Sequence, residues 1–397
     1  MSNFENIQKT FSEMWNYARA GACWVPDADG VLREYTEDSP PITYRGILLE
    51  NARTNLLLHS RNMTDAAWSK VGTGTCALNG IGADGAVNTA VTIDDNDISA
   101  SYYVEQTVII DDDPGDQPIC ASIYVTKTIS ASVFPSIRLF HADASAAYCV
   151  DTDDGTATVI TSLGPDGSCE IESCGDYWRV AITLSNAGQS SATMRVYPSW
   201  NADASANQSV TAQGACVFDF PQVEDGSPVA TSAIVTGAST ASRGEPIIYH
   251  ADADEILTTS ELTAFIEYEG LTPMIDPMAS GGMLILATAS TYSRLSIVSR
   301  GSDLRLSGYA DGGAVNFNAS ASGKVAISYS LERDEFVAGY NGDTVADATT
   351  GQEMTDIASI YLCGFSGGSS PLQCYIRSAK LWKFSMSQSD ISSLTAV

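Results

Sequence analysis

The chain is short of positive charge. Its 397 residues carry 20 Lys and Arg against 48 Asp and Glu, a formal charge of −28. A surface of that sign repels phosphate backbones and excludes nucleic acid as a partner. Histidine is scarce as well: His59, His141 and His250 stand far apart in sequence. No Gly-x-Ser-x-Gly, Gly-Lys-Ser/Thr or His-Glu-x-x-His motif is present, so the usual signatures of nucleophilic, phosphate-loop and zinc-protease chemistry are missing. No apolar run reaches the ~18 residues that a membrane helix needs. The first residues, MSNFENIQKT, have neither the basic nor the apolar region of a signal peptide. The nine cysteines include no Cys-x-x-Cys pair. Several, such as Cys120 and Cys363, fall in strand-like apolar runs and read as small buried hydrophobes in a protein that folds in a reducing cytoplasm. Cys169 and Cys174 are the pair closest in sequence.

What is present is enough apolar residue, 44%, for sizeable cores. The opening segment reads as helix. Ser2-x-x-Glu5 is a capping-box pattern, Gly21 suits the C-terminal stop, and Phe4, Ile7, Phe11 and Met14 recur on an a/d seam. Two heptads are too few for an independent coiled coil but enough to dock on a partner or on symmetry mates.

From about Val25 short alternating runs broken by Gly, Pro, Asn and Asp take over. Among them are Tyr103-Val-Glu-Gln-Thr-Val-Ile-Ile110, Ser136-Ile-Arg-Leu-Phe140, Tyr177-Trp-Arg-Val-Ala-Ile-Thr-Leu184 and Ala192-Thr-Met-Arg-Val-Tyr197. Many short strands at this spacing, without helical period between them, predict antiparallel sandwiches. In 177–184 the even positions are apolar, which makes Trp178 a core residue rather than a sugar platform. A polar, small-residue stretch over 236–246 reads as a linker, after which strand runs resume. Val325, Ile327 and Tyr329 share one face; Asn341-Gly342 predicts a two-residue hairpin turn, because both positions need positive φ. Ser387-x-x-Asp390 predicts a capped terminal helix that offers Ile391 and Leu394 to the core. The expected architecture is therefore all-β: two antiparallel sandwiches of jelly-roll or concanavalin-like type behind a short N-terminal helix.

Three groups of residues carry a resemblance. Residues 24–60 hold Tyr44-Arg-Gly-Ile-Leu-Leu-Glu50 and Ala52-Arg-Thr-Asn-Leu-Leu-Leu-His-Ser60. Residues 175–245 hold Gly175-Asp-Tyr-Trp-Arg-Val180, then Gln222-Val-Glu-Asp-Gly-Ser-Pro-Val-Ala-Thr-Ser232. The last part has the Asn-Gly hairpin, a strand ending in Trp382-Lys-Phe384 and the closing helix. Together they resemble tailed-bacteriophage virion proteins with a carbohydrate-binding-module-like sandwich followed by a concanavalin A-like lectin/glucanase (laminin-G-like) domain. Where that family has Trp-Gly-Ala, this chain has Asp219-Phe-Pro221. The resemblance implies residues 1–60 as an attachment and oligomerisation segment, 61–240 as the first sandwich and 241–397 as the second. It also implies a fibre or spike-like structural protein on the virion exterior, assembled in the host cytoplasm. Such a protein joins other virion proteins through its N-terminal segment, forms homotrimers and contacts host glycans. A capsid decoration or head-fibre protein is the alternative, and a polysaccharide depolymerase a third.

Candidate site residues follow from chemistry. Hydrolysis of a glycoside requires two carboxylates about 5–10 Å apart, and Glu267 with Glu269 is the best same-face pair, although such pairs also occur on solvated outer faces. Sugar stacking calls for aromatics beside turns, as at Trp200 and Tyr309. The acidic runs at 94–97 and 111–113 are the places where Ca²⁺ would find hard oxygen ligands, although neither has EF-hand spacing. No other cofactor or metal is implied. The expectation is a binding or structural protein and not an enzyme.

Overall fold

The computed structural model describes residues 15–111, 117–128, 134–163, 167–250, 261–270, 280–288, 293–300, 303–308, 314–318, 320–330, 332–333, 335–347, 357–363 and 374–397. The chain divides into two compact units: Gly21–Thr36 with Ala52–Arg243, and Met1–Ala20 with Glu37–Asn51 and Gly244–Val397. Both are built from antiparallel sheets.

The first unit packs two six-stranded sheets. One runs Ala157–Leu163, Ser145–Val150, Phe134–Phe140, Ser191–Asn201, Tyr103–Ile109, Ser69–Val71; the other runs Ser168–Cys174, Tyr177–Ser185, Pro118–Thr126, Gly214–Asp225, Val87–Asp95, Gly74–Ile81. Alternation decides what lies between them. Val104, Val108, Ile137, Leu139, Met194 and Val196 enter from one side; Ile119, Ile123, Val180, Ile182 and Phe218 from the other. Trp178 packs against this core as the even-position pattern predicts, and its indole donates to the Thr152 carbonyl at 2.9 Å.

The second unit pairs two seven-stranded sheets. Leu262, Ala264, Ile266 and Tyr268 lie beside Val325, Ile327 and Tyr329 on the inner face of one sheet, joined there by Ile47 and Leu49. Gly46–Leu49 is there because it pairs with Cys374–Ile376 near the edge of that sheet. The Asn341-Gly342 turn forms as expected, with φ +48° and +91°. So does the helix Gln388–Thr395, where Ser387 and Asp390 make a complete capping box and Ile391 is buried.

Two expectations are corrected. The first concerns the end of the expected N-terminal helix: Asn16–Ala18 is a strand, paired antiparallel with Ile247–Tyr249. Tyr17 packs partly buried against the second core, and that tertiary contact outweighs the helical pattern. Phe4, Ile7, Phe11 and Met14 lie outside the described residues; among those described, the helix is C-terminal. The second concerns Asn55-Leu-Leu-Leu-His-Ser60, whose apolar run predicts a strand that sends Leu56 and Leu58 into a core; it is not one strand. The strand Arg53–Asn55 ends in a turn, and Leu57, rather than Leu56 or Leu58, is completely buried. Asn55 explains it. Its amide donates to the Pro221 and Ile234 carbonyls at 3.2 and 2.8 Å, and its oxygen accepts from Leu57 and Val223 at 3.1 and 3.2 Å. A side chain so satisfied holds the backbone out of a regular ladder.

Candidate functional site

The two sheets of the first unit treat their outer faces differently. The outer face of the sheet centred on Pro118–Thr126 is roofed by the chain itself. The hairpin Cys23–Pro26/Leu32–Tyr35 lays Leu32 and Trp24 against Tyr124, Tyr177 and Phe220. Beside it, Thr231 donates from its backbone to buried Glu224 at 3.0 Å, and Ile234 donates to Gln222 at 2.7 Å. Arg179 donates to the Thr231 carbonyl, and Arg243 to the Ser232 hydroxyl at 2.6 Å. The Gln-Val-Glu and Ala-Thr-Ser segments are thus folding residues that latch a lid onto a sheet.

Asp219 and Phe220 form a bulge on the same face, with Phe220 at φ +46°. Asp219 accepts from Arg61 at 3.0 and 3.1 Å and from the Ala83 and Phe220 amides at 2.9 Å each. Arg61 also reaches Asp84 at 2.8 Å, and its guanidinium carbon stands 4.0 Å from the Phe220 ring centre. Burial pushes the Asp219 carboxyl up to about 7, although Arg61 and the two amides pull it down. All these groups are mutually satisfied, so the network braces the fold.

The opposite sheet carries a different set of outward residues. Cross-strand register places Glu105 beside Arg195 and Arg195 beside Arg138. In the next row Tyr103 and Tyr197 stack with ring centres 5.0 Å apart. In the row beyond, Thr107 hydrogen-bonds Thr193, which is paired with Phe140. Arg195 is held between two rings, 4.1 Å from the Tyr103 centre and 4.9 Å from that of Phe140. It donates to Glu105 at 2.6 Å and to the Tyr197 hydroxyl at 3.2 Å. Burial acts to lower its ionisation range, but those two partners outweigh it and the net shift is upward. Arg138 lies 4.7 Å from the Phe140 centre, and its Nε donates to Ser145 at 2.9 Å. Among the described residues, every hydrogen bond from these side chains goes to another residue of the same face. Ile109, 83% exposed, marks its solvent edge.

Such a face combines the half-buried rings of Tyr103 and Phe140 with fixed donors and acceptors, the equipment needed to stack and orient a polar ring; Tyr197 is itself buried. The arginine–glutamate row joins residues distant in sequence and was not among the sequence candidates. The signal for it lay in the polar positions of the runs 103–110, 136–140 and 192–197; the register that assembles them is not readable from local pattern.

Of the sequence candidates, Trp200 belongs to this neighbourhood. It is 9% exposed and packs edge-on to Tyr197, with ring centres 5.1 Å apart. Tyr197 is itself 5% exposed, so the two rings form one buried cluster with Cys149 and neither offers its face to solvent. The Trp200 indole nitrogen, together with the Ser136 and Ser199 hydroxyls, is buried without a hydrogen-bond partner. Tyr309 lies outside the described residues. Glu267 and Glu269 share the outer face of a strand in the second unit, out of phase with its core residues. Glu269 is clamped by Arg45 at 3.0 Å and Arg377 at 3.1 Å.

No cluster of metal-ligating side chains occurs among the described residues. In the run 94–97, Asp95 is buried and accepts from the Tyr102 amide at 2.7 Å, so it closes a turn. Residues 112–113 of the second acidic run lie outside the described residues. Cys76, Cys120, Cys149, Cys169, Cys174, Cys216 and Cys374 form no disulfide, and burial pushes the thiols of Cys149, Cys216 and Cys374 up to about 12. Such thiols are inert packing groups. A cleft of about 420 Å³ on the first unit is lined by Glu170, Ile171, Glu172, Arg179, Ala181 and Ala230. It has no aromatic wall.

No protein-family model and no curated protein matches the chain. Solved structures show a distant likeness. The binding domain of botulinum neurotoxin DC, in a complex with rat synaptotagmin II, is 10% identical over 38% of this chain and 39% of its own, with a TM-score of 0.30. Trypanosoma rangeli sialidase is 9% identical over 77% of this chain and 60% of its own, with a TM-score of 0.30. The chain thus matches less than two thirds of the length of either.

Proposed function

We propose that this chain is a non-catalytic, saccharide-binding display protein whose working surface is the face formed by Tyr103, Glu105, Arg138, Phe140, Arg195 and Tyr197. One observation carries the reading: the sandwich roofs one outer face with its own chain and leaves the other furnished with rings and fixed polar groups that bond only among themselves. The clamping of Glu269 by two arginines supports a binding role over hydrolysis, since a carboxylate whose oxygens are engaged by two guanidinium groups is a hindered nucleophile. The motif resemblance supports display on a virion exterior, with attachment through the N-terminal segment. A chain lacking residues 1–14 is expected to fold and to stay off particles.

The test is binding of the purified chain to a saccharide panel. The expected result is retention of at least one saccharide, lost in a Tyr103→Ala/Phe140→Ala variant that keeps its circular dichroism. Equal binding by the variant removes the face from the function.

A further inference from the structure

The open face carries its own charge imbalance. Glu105, Arg195 and Arg138 stand in one cross-strand row, one carboxylate to two guanidinium groups. Glu105 is spent on Arg195, 2.6 Å away. Arg138 has no carboxylate partner among the described residues; its Nε is taken by the Ser145 hydroxyl and its plane by the Phe140 ring. In a chain of net charge −28 a cation left in this state is conspicuous, because acidic side chains outnumber basic ones by more than two to one. Its ionisation range is displaced downward, first by burial and then by the charge of Arg195, against the opposing pull of Tyr197 and Glu105. An anion arriving over Phe140 would supply the charge the row lacks.

Resting on the saccharide reading above, we propose that Arg138 is the anion anchor of the face, and that the saccharide it takes carries an acidic substituent, a carboxylate or a sulfate. The Ser145 bond and the Phe140 ring fix the guanidinium plane, and the two terminal nitrogens match the paired oxygens of such a group. Tyr103, half-buried and one row away, gives the adjoining sugar ring an apolar wall, with the buried Tyr197 ring packed behind it.

The experiment measures binding of the full chain to three matched oligosaccharides, one bearing uronate, one bearing sulfate and one neutral. The expected result is about tenfold tighter binding of one or both acidic forms than of the neutral one, the scale of one charge-assisted contact. Arg138→Gln should erase that preference, so that acidic and neutral forms bind alike, and Arg138→Lys should restore part of it, with thermal midpoints confirming that both variants fold. Uronate and sulfate bound unequally identifies the source of the anion. Neutral and acidic forms bound equally by the wild type, or a preference that survives in Arg138→Gln, overturns the anchor while leaving the face a saccharide site. Binding of none of the three overturns both.

Discussion

The two outer faces of the first sandwich use the same kinds of residue to opposite ends. On the roofed face an arginine, a glutamate and a glutamine spend their hydrogen bonds on an overlying segment: Arg179 and Glu224 on Thr231, Gln222 on Ile234. On the open face an arginine and a glutamate spend theirs on each other. Buried polar groups must be satisfied whichever route is taken. Satisfaction by a lid produces stability, and satisfaction within the face produces a rigid surface with capacity left over. The difference therefore sorts structural polar residues from candidate binding residues, which composition alone does not.

The largest expected effect of breaking that contrast is at Asp219. Its side chain is completely buried and serves four donors. Asp219→Ala leaves the Ala83 and Phe220 amides unpaired and half of the Arg61 fork empty, a loss of about 3–4 kcal/mol. Urea denaturation at constant pH measures it. A midpoint unchanged from wild type would show that the roof is not braced from this point. Asn55→Leu, which removes four bonds to three chain segments while keeping the branched shape, comes next at about 2–3 kcal/mol.

A smaller effect is in the pH dependence. The Asp219 carboxyl stands at about 7 in the folded chain and near 3.8 when unfolded. Between those values the folded state holds a proton that the unfolded chain has released, so stability falls as pH rises. The contribution is complete below about pH 4 and is gone once pH passes 7. Asp84, which Arg61 and neighbouring donors hold below the ordinary range despite burial, contributes in the opposite sense, at acid pH. The urea midpoint should therefore decline from pH 5 to 8 in the wild type and be flat there in Asp219→Asn. A wild-type midpoint that is level over this range would leave Asp219 ionised throughout.

How much of this was legible depends on whether a feature is local. The Asn341-Gly342 turn, the Ser387 cap, the Val325-Ile327-Tyr329 face and the packing of a partly buried Trp178 against the core rest on neighbours within a few positions, and all four appear in the structure. The segment at Asn16–Ala18 was misread because its fate is decided by pairing with Ile247–Tyr249, far along the chain. Trp200 was found as an aromatic near a turn, but its burial against Tyr197 depends on packing that no spacing encodes. The row Glu105–Arg195–Arg138 was missed for the same reason, since it exists only through the register of three strands. Asp219-Phe-Pro221, noticed as a departure from a motif, is the bulge that aims a carboxylate at Arg61.

The smallest stability effect should come from the most direct comparison, between two arginines on the two faces. Arg179 is packed under the lid, 5.6 Å from the Tyr124 ring centre, and tethers Thr231. Arg179→Met keeps the stem but frees the lid carbonyl, and about 2 kcal/mol of stability should go with it, without effect on any saccharide bound at the other sheet. Arg195→Met keeps its contacts with Tyr103 and Phe140 and loses the long bond to the Tyr197 hydroxyl and a partly exposed ion pair, 18% and 22% accessible, so stability should change by about 1 kcal/mol. Saccharide binding should fall in this variant and not in the other. If instead Arg195→Met unfolds the sandwich as readily as Arg179→Met, or if both bind alike, the open face is braced like the roofed one and its unspent polar capacity has no ligand to explain it.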